Sequence, residues 1–427
     1  MDNSRPWTIE TIGHRQWIIE LSQIIMKILI LSPKVPFPPK DGGAIATLSL
    51  AEGLADSGNE VHMLCLNTSK HPFDVNRIHG AMRKKISFHS VNLDTRVRPT
   101  KAFLNLFFSK EPYNAIRFYS RKFERKLVEL LLNIKPQIVQ LEGPYLGYYI
   151  PAVKKHVDTT ISLRAHNVEN EIWQRKAMNN SNPFGKFYFG LLSSRIKMLE
   201  KRILTEVDLM IAISERDRNQ LRQLYEIKSI TIPTGLNAYR YPTPMEPEFP
   251  TLFYIGALDW MPNQEGITWF IENVFMQLRK QQPNIKLHIA GRNAPEWLRQ
   301  KLTGLTGSGI VFHGEVENAY EFMNQYAIFI SPLFTGSGIR IKILEGMMMQ
   351  RVIVATSIAA EGIPVSDRKN IFIADNPGEM AEIISEIAGN KEKYDRIAKN
   401  SRAFVMENFN NLATCKRLSE FYRSNLT

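Results

Sequence analysis

Residues 335–346 read Thr335-Gly336-Ser337-Gly338-Ile339-Arg340-Ile341-Lys342-Ile343-Leu344-Glu345-Gly346, a stretch in which two glycines run into a helical pattern. The apolar run at 327–330, closed by Ser331-Pro332, precedes it, so the order is buried strand, loop, helix start. Such a loop presents bare backbone N–H groups and the positive end of a helix dipole, a setting suited to phosphate. Arg340 and Lys342 add permanent charge in the first turn, where cations are disfavoured unless an anion joins them. Glu345, three residues after Lys342, falls on the same helix face and could accept hydrogen bonds from the vicinal hydroxyls of a ribose. Ile341, Leu344 and Met348 form the opposite, apolar stripe. Together these residues suggest a nucleotide diphosphate. A Gly-Ser-Gly loop is also common as a plain connection, so the elements around it must decide.

Those elements need more than one core. A chain of 427 residues suggests two domains, and 44% hydrophobic with 22% charged residues is a globular composition. Cys65 and Cys415 lie too far apart in sequence to form a metal motif or a disulfide framework and read as buried thiols. No run of eighteen apolar residues is present to span a bilayer. Residues 1–25 read as an N-terminal extension. Glu10, His14, Arg15 and Glu20 interrupt any signal-peptide core, and Met26 is a candidate functional start. A cytoplasmic location is expected. The net charge of +12 calls for anionic partners such as lipid or phosphorylated small molecules. Nucleic acid is not expected, because no zinc finger, RNA-recognition signature or basic heptad helix occurs.

Short apolar runs alternate with amphipathic stretches, the pattern of parallel sheets covered by helices. Strands are expected at 27–31, 60–66, 137–141, 160–164 and 209–213, with a helix over 44–57. The segment 234–250 carries Pro242, Pro244, Pro247 and Pro250 and reads as a linker. The alternation then restarts, with strands at 251–255, 285–290, 311–313, 327–330, 352–355 and 371–374. Helices are expected over 264–281, 295–301 and 320–325, and through 377–425. Two doubly wound units joined in this way leave a cleft between the carboxyl ends of their strands.

The ordered set of motifs resembles the retaining glycosyltransferases of family 4. It comprises Pro39-Lys40-Asp41-Gly42-Gly43, Arg164-Ala165-His166-Asn167-Val168-Glu169, Ile213-Ser214 with Asp217, Pro233 with Gly235, Gly256, Ala290-Gly291-Arg292, the glycine loop through Glu345, 352–356, and Glu361-Gly362-Ile363. The Asp259-Trp260-Met261-Pro262-Asn263 segment and the Gly-Ser-Gly-x-Arg-x-Lys loop are similar to the exopolysaccharide-associated subgroup. The resemblance covers about residues 26–425 and implies an α/β, GT-B fold of two Rossmann-like parallel-sheet domains facing across a cleft. It gives domains at 26–240 (acceptor side) and 241–402 (nucleotide-sugar side), and a closing helix at 403–427 packed back on the first. Two departures are visible. The family's paired glutamates, seven residues apart, fall here on Ser337 and Glu345, and the basic pair expected after the second domain's first strand is replaced by Leu258-Asp259-Trp260.

The resemblance implies transfer of a sugar from a nucleotide-diphosphate donor to a glycan or lipid-linked acceptor, with no cofactor and no metal. No Asp-x-Asp sequence occurs, which fits a metal-independent donor site. Catalytic roles fall on His166, Arg340 and Lys342. Donor binding falls on Gly42, Gly43, Gly256, Asn263, Gly291, Arg292, Val316, Gly336, Ser337, Gly338, Ile339 and Glu345. Arg340 and Lys342 are expected to supply the charge of the missing basic pair. Two points stay open: Glu169 either faces the cleft or caps a helix, and Arg292 either meets the nucleotide or is a surface charge.

On the acceptor side, basic and aromatic residues interleave over 96–126 and again over 184–202. These stretches read either as an anionic membrane face at the inner side of the cell membrane or as two amphipathic helices with solvated lysines. Two rival functions share the architecture, a nucleotide-sugar epimerase or hydrolase and a non-catalytic nucleotide- or glycan-binding module. Ser337 in place of a glutamate weighs against the first, and the intact Arg340, Lys342, Glu345 and His166 weigh against the second.

Overall fold

In the computed structural model, residues 25–426 are described apart from Lys40, His79 and Ser337. Residues 1–24 of the expected extension, and the donor-loop Ser337, lie outside the described residues. The first unit holds β1 (Lys27–Ser32), helix α1 (Gly42–Asp56), β2 (Glu60–Thr68), β3 (Ile86–Leu93) and helix α2 (Pro99–Phe108). It continues with β4 (Ile138–Glu142), β5 (Thr160–Ala165), helices α3 (Glu169–Met178) and α4 (Pro183–Glu206), β6 (Leu209–Ala212) and β7 (Ser229–Thr231). Its seven strands are parallel in the order β3-β2-β1-β4-β5-β6-β7.

The second unit has six parallel strands: β8 (Glu248–Ile255), β9 (Lys286–Ala290), β10 (Ile310–Gly314), β11 (Tyr326–Ser331), β12 (Val352–Ala355) and β13 (Phe372–Ile373). Their order, β10-β9-β8-β11-β12-β13, repeats that of the first sheet. Both are therefore doubly wound α/β sheets, and in each the strand order reverses beside the first strand, where such sheets bind ligands.

The apolar runs are nearly continuous because both sheet faces are covered. In β1, Leu29 and Leu31 pack under Phe123, Leu127 and Tyr149, while Ile28 and Ile30 point to Leu50 and Leu54 of α1. In the second unit, Leu252 and Ile328 meet Phe270 and Ile271, and Phe253 and Phe329 meet the helix α5 (Ile341–Met348).

Three expectations shift on contact with the structure. Strand β8 begins at Glu248, inside the segment expected to be a linker, and runs through Pro250. Proline is tolerated there because the β8–β11 register is irregular between Tyr326 and Ile328, so no regular ladder bond is lost. The expected helix over 264–281 is Met261–Phe270, a π turn over Ile271–Phe275, and Met276–Gln281. Strands β3 and β7 lay unread in the sequence; β3 is mostly half-exposed and β7 has three residues, so neither shows a buried apolar run.

The closing helices are α6 (Lys391–Asn408) and α7 (Asn411–Arg423). The chain changes units after α6, at Phe409-Asn410, rather than at 402, which falls within that helix. There the backbone of Leu236 donates to Phe409 O (2.7 Å) and accepts from Asn411 N (3.2 Å), so the two connections between the units are bonded to each other. Helix α7 lies on α1: a Cβ at Gly53 would be 2.4 Å from Cys415 Sγ, and Asn411 Nδ2 donates to Ser49 O (2.7 Å). Tyr422 Oη anchors its far end at Gln140 Oε1 (2.5 Å).

Candidate active site

A cavity of about 820 Å3 opens over the carboxyl ends of the second sheet. Gly256 follows β8, Gly291 and Arg292 follow β9, Glu315 and Val316 follow β10, and Ile339, Arg340, Lys342 and Glu345 come from the start of α5. The opposite wall is the start of α1, with Asp41, Gly42 and Ile45. A Cβ at Gly42 would sit 3.5 Å from Ile341 Cγ1, so two helix N-termini face one another across the cleft. Asp41, held by Lys34 Nζ at 2.5 Å, caps α1 by accepting from Ala44 N (2.9 Å). Arg340 at the N-cap of α5 offers no side-chain cap, which leaves that helix's first-turn amides to other acceptors.

The cations expected at this point are here. The Arg340 guanidinium lies 5.6 Å from the centre of the Trp260 ring, and its Nη1 donates to Gly338 O (3.0 Å). Burial pushes it down to about 10; Glu361 opposes the shift and Arg175 adds to it. Lys342 Nζ lies 2.7 Å from Glu345 Oε2, and Tyr320 Oη donates to Glu345 Oε1 (3.1 Å). Glu345 is buried at the cavity floor, engaged by both. Arg292 lines the cavity.

Asn263 and the glycines shape the strand-end loops. Asn263 Nδ2 donates to Ala257 O (2.8 Å), fixing the turn after β8. A Cβ at Gly291 would lie 2.4 Å from Gly256 O, a backbone atom that cannot swing aside.

Four expected residues stand elsewhere. Gly336 and Gly338, at φ +124° and +79°, serve the contact between units. Arg175 Nη1 of α3 donates to Gly336 O (2.5 Å), and a Cβ at Gly338 would be 2.2 Å from Asn167 Oδ1. Arg175 also pairs with Glu361 (3.0 Å), which Arg216 reaches as well (3.2 Å). Gly43 lies behind the cavity wall, near Lys34 and Asp41. His166 lies after β5, in the first unit.

His166 Nε2 lies 2.7 Å from Glu142 Oε2 at the end of β4. Glu142 is fully buried. Burial alone would raise its carboxyl, but Arg164, His166 and Thr47 overturn this and hold it down at about 2. An ionised carboxylate only accepts, so His166 carries its proton on Nε2 in that bond. Arg164 Nη1 (3.1 Å) and Thr47 Oγ1 (2.8 Å) complete the group on the same oxygen. Glu142 and Thr47 went unread: the strand expected at 137–141 stops one residue short, although the carboxyl end of a strand is where such a group acts.

Glu142 also lines a second cavity, of about 890 Å3, over the carboxyl ends of β1 to β5. Its walls carry Lys34, Lys70, His71, Arg96, Arg117 and Tyr145. Glu169 both opens α3 and faces this cavity, where it accepts from Tyr145 Oη (2.8 Å). Burial raises its carboxyl, opposed by Tyr145, His166 and Asn167.

Among the described residues, no group of three or more His, Cys, Asp or Glu side chains is placed to hold a metal ion, and no helix is long and apolar enough to cross a membrane.

Comparison with known proteins agrees with this geometry. Residues 40–240 match the family described as Glycosyltransferase Family 4, and residues 249–390 match Glycosyl transferases group 1. A protein of Klebsiella pneumoniae, described as an uncharacterized 44.6 kDa protein in the cps region, is 24% identical over 394 residues, covering 90% of this chain and 96% of the relative. Among solved structures, the fold is shared with sucrose-phosphate synthase from Thermosynechococcus elongatus (TM-score 0.67, 16% identity, 93% of this chain and 98% of that one). It is shared also with Anabaena HepE in complex with UDP (0.64, 14%, 93% and 100%) and with S. aureus TarM (0.66, 12%, 93% and 98%). With both sheets, the facing clefts and the two family patterns in place, the chain belongs to the family 4 glycosyltransferases of GT-B fold and is a glycosyltransferase.

Proposed function

We propose that the enzyme moves a sugar, with retention of anomeric configuration, from a nucleotide-diphosphate sugar to a glycan or lipid-linked acceptor in surface or extracellular polysaccharide synthesis. The observation that carries this is the meeting of two helix N-termini, at Gly42 and Ile341, across a cavity that also holds Arg292, Arg340 and Lys342. A diphosphate in that cavity, beside the two helix starts, would meet backbone amides and three cations. As the C1–O bond breaks, its electron pair leaves with the diphosphate, and these groups absorb the charge. The acceptor oxygen bonds to C1 and its proton passes to a departing diphosphate oxygen. His166, oriented by Glu142, contacts the transferred sugar. Side-chain cations take the part a metal would play, so the reaction needs neither metal nor cofactor. The Klebsiella relative from a cps region supports a polysaccharide role, and HepE in complex with UDP supports a nucleoside diphosphate as ligand.

The acceptor side is proposed to rest on the anionic inner face of the membrane. Phe103, Leu104, Phe107 and Phe108 of α2 are exposed, as are Phe184 and Phe187 of α4, and Lys101, Lys110 and Lys186 stand among them. Arg195 ties α4 to α2 through Leu106 O (2.8 Å). Phe108 and Phe184, at 85% and 86% exposure, are large apolar groups that water alone does not favour.

Incubation with a panel of nucleotide sugars tests the reading. Nucleotide released only with acceptor, and a product keeping the donor's anomeric configuration by NMR, are expected. Sugar interconversion without acceptor, or an inverted product, would contradict it. Co-sedimentation with anionic vesicles that weakens at high salt is expected of the membrane contact, and its absence removes that part alone.

A further inference from the structure

The second cavity lies over the carboxyl ends of the first sheet, and its walls gather Lys34 after β1, Lys70 and His71 after β2, Arg96 after β3, and Arg117. These basic residues come from four separate segments, so no single surface helix accounts for them. Lys34 is matched by Asp41 (2.5 Å) and Arg96 by Asp94 (3.0 Å). Among the described residues, Lys70 and Arg117 have no carboxylate within ion-pair distance; Arg117 Nη1 donates instead to Thr95 O (3.0 Å). The two carboxyls of the cavity wall do not offset this charge. Glu142 is committed to Arg164 and His166, and Glu169, bonded to Tyr145, is a carboxyl that burial pushes toward its neutral form. After burial itself, Lys34, Lys70 and Arg292 all push the His71 imidazole down, with Asp41 opposing, which records how positive this region is.

We propose that this cavity takes an acceptor bearing a phosphate ester or a diphosphate, its phosphate held by Lys70, Arg117 and Lys34, and its sugar hydroxyl directed to the Glu142–His166 edge. The inference rests on the sugar-transfer reading and adds the chemical class of the acceptor. Among the described residues, Lys70 and Arg117 both line this cavity without a carboxylate partner, and a phosphate offers each a charge-assisted hydrogen bond that a neutral glycan does not.

The test is calorimetric titration of the full chain, first saturated with whichever of UDP, GDP, ADP and TDP binds it, so that the donor cleft is filled. Two probes are added separately, glucose 6-phosphate as a soluble sugar phosphate and farnesyl diphosphate as a lipid diphosphate, with glucose and farnesol as neutral controls. One phosphate probe is expected to bind, its neutral control at least about tenfold more weakly, and Lys70→Gln to lose about tenfold in probe affinity while nucleoside diphosphate affinity stays unchanged. Lys70 is exposed on a turn, so this variant keeps the fold where Arg117→Gln, with its carbonyl bonds, risks disturbing it. Which probe binds tells a soluble acceptor from a lipid-linked one. Binding by neither, or equal binding by the neutral control or by Lys70→Gln, overturns the inference alone. Failure of every nucleoside diphosphate to bind overturns the transfer reading beneath it.

Discussion

At the residue scale the site turns on a buried carboxylate that sequence inspection passed over. Glu142 accepts from Arg164, His166 and Thr47 through one oxygen and from Gln140 through the other. Removing its charge strands Arg164, which is fully buried. Glu142→Gln is therefore expected to cost about 3 kcal/mol or more in chemical denaturation, and His166→Ala little. In turnover the order reverses for His166→Ala, which should lose about a hundredfold in kcat with donor affinity unchanged. The pH dependence has a definite sign. Because the folded-state carboxyl of Glu142 is held down at about 2, against an ordinary 4.5, its contribution is whole above about 4.5 and is lost as the pH falls toward 2. Stability of the wild type should fall through that window more steeply than that of Glu142→Gln. His166 itself was legible because it sits in a motif, Arg164 to Glu169. Glu142 belongs to none, and only the fold brings β4 beside β5.

At the element scale, the starts of α1 and α5 and the turns after β8 and β9 carry the donor cleft, and close packing of backbone sets their shape. Gly291→Ala would place a methyl group 2.4 Å from Gly256 O, so the loops after β8 and β9 must separate. A loss of about 2 kcal/mol in stability and a weaker nucleoside diphosphate affinity are expected; an unchanged denaturation midpoint would show that the turn yields freely. The glycine loop was read correctly as a strand-to-helix turn, yet two of its glycines serve a contact that no local pattern announces. Arg175 and Asn167 come from the other unit, more than 150 residues away in the chain, to meet Gly336 and Gly338. Arg175→Ala should release the loop and leave Glu361 to Arg216 alone, raising the donor KM by about tenfold with a smaller change in kcat. A variant whose KM is unaltered would reduce this clamp to a surface ion pair. Strands β8, β9, β11 and β12 were legible because parallel strands covered on both faces are continuous apolar runs. Strand β3, half-exposed, lacked that signature, and Pro250 concealed the start of β8.

At the scale of the whole molecule, two sheets of the same winding order are joined by connections bonded to each other at Leu236 and Phe409, with α7 carried back onto α1. The sequence announced the doubling through its restart near residue 250, since each unit repeats the same order of short runs. The relative placement of the units was not legible, because it depends on the contacts of Arg175, Arg216 and Glu361 and on the near-touch of Gly42 and Ile341. Three regions gather cations: the donor cleft, where Asp41, Glu315, Glu317 and Glu345 also line the wall, the basic second cavity, and the aromatic-basic face of α2 and α4. The central claim concerns the first, where a diphosphate is proposed to lie beside two adjoining helix starts and their side-chain cations. Titration calorimetry of the nucleoside diphosphates against the wild type and the Arg340→Ala and Lys342→Ala variants, with chelator present, addresses it most directly. Binding of one nucleoside diphosphate by the wild type, weakened about tenfold or more in each variant, is expected. Equal affinity in all three proteins, or binding that vanishes with the chelator, would contradict the account.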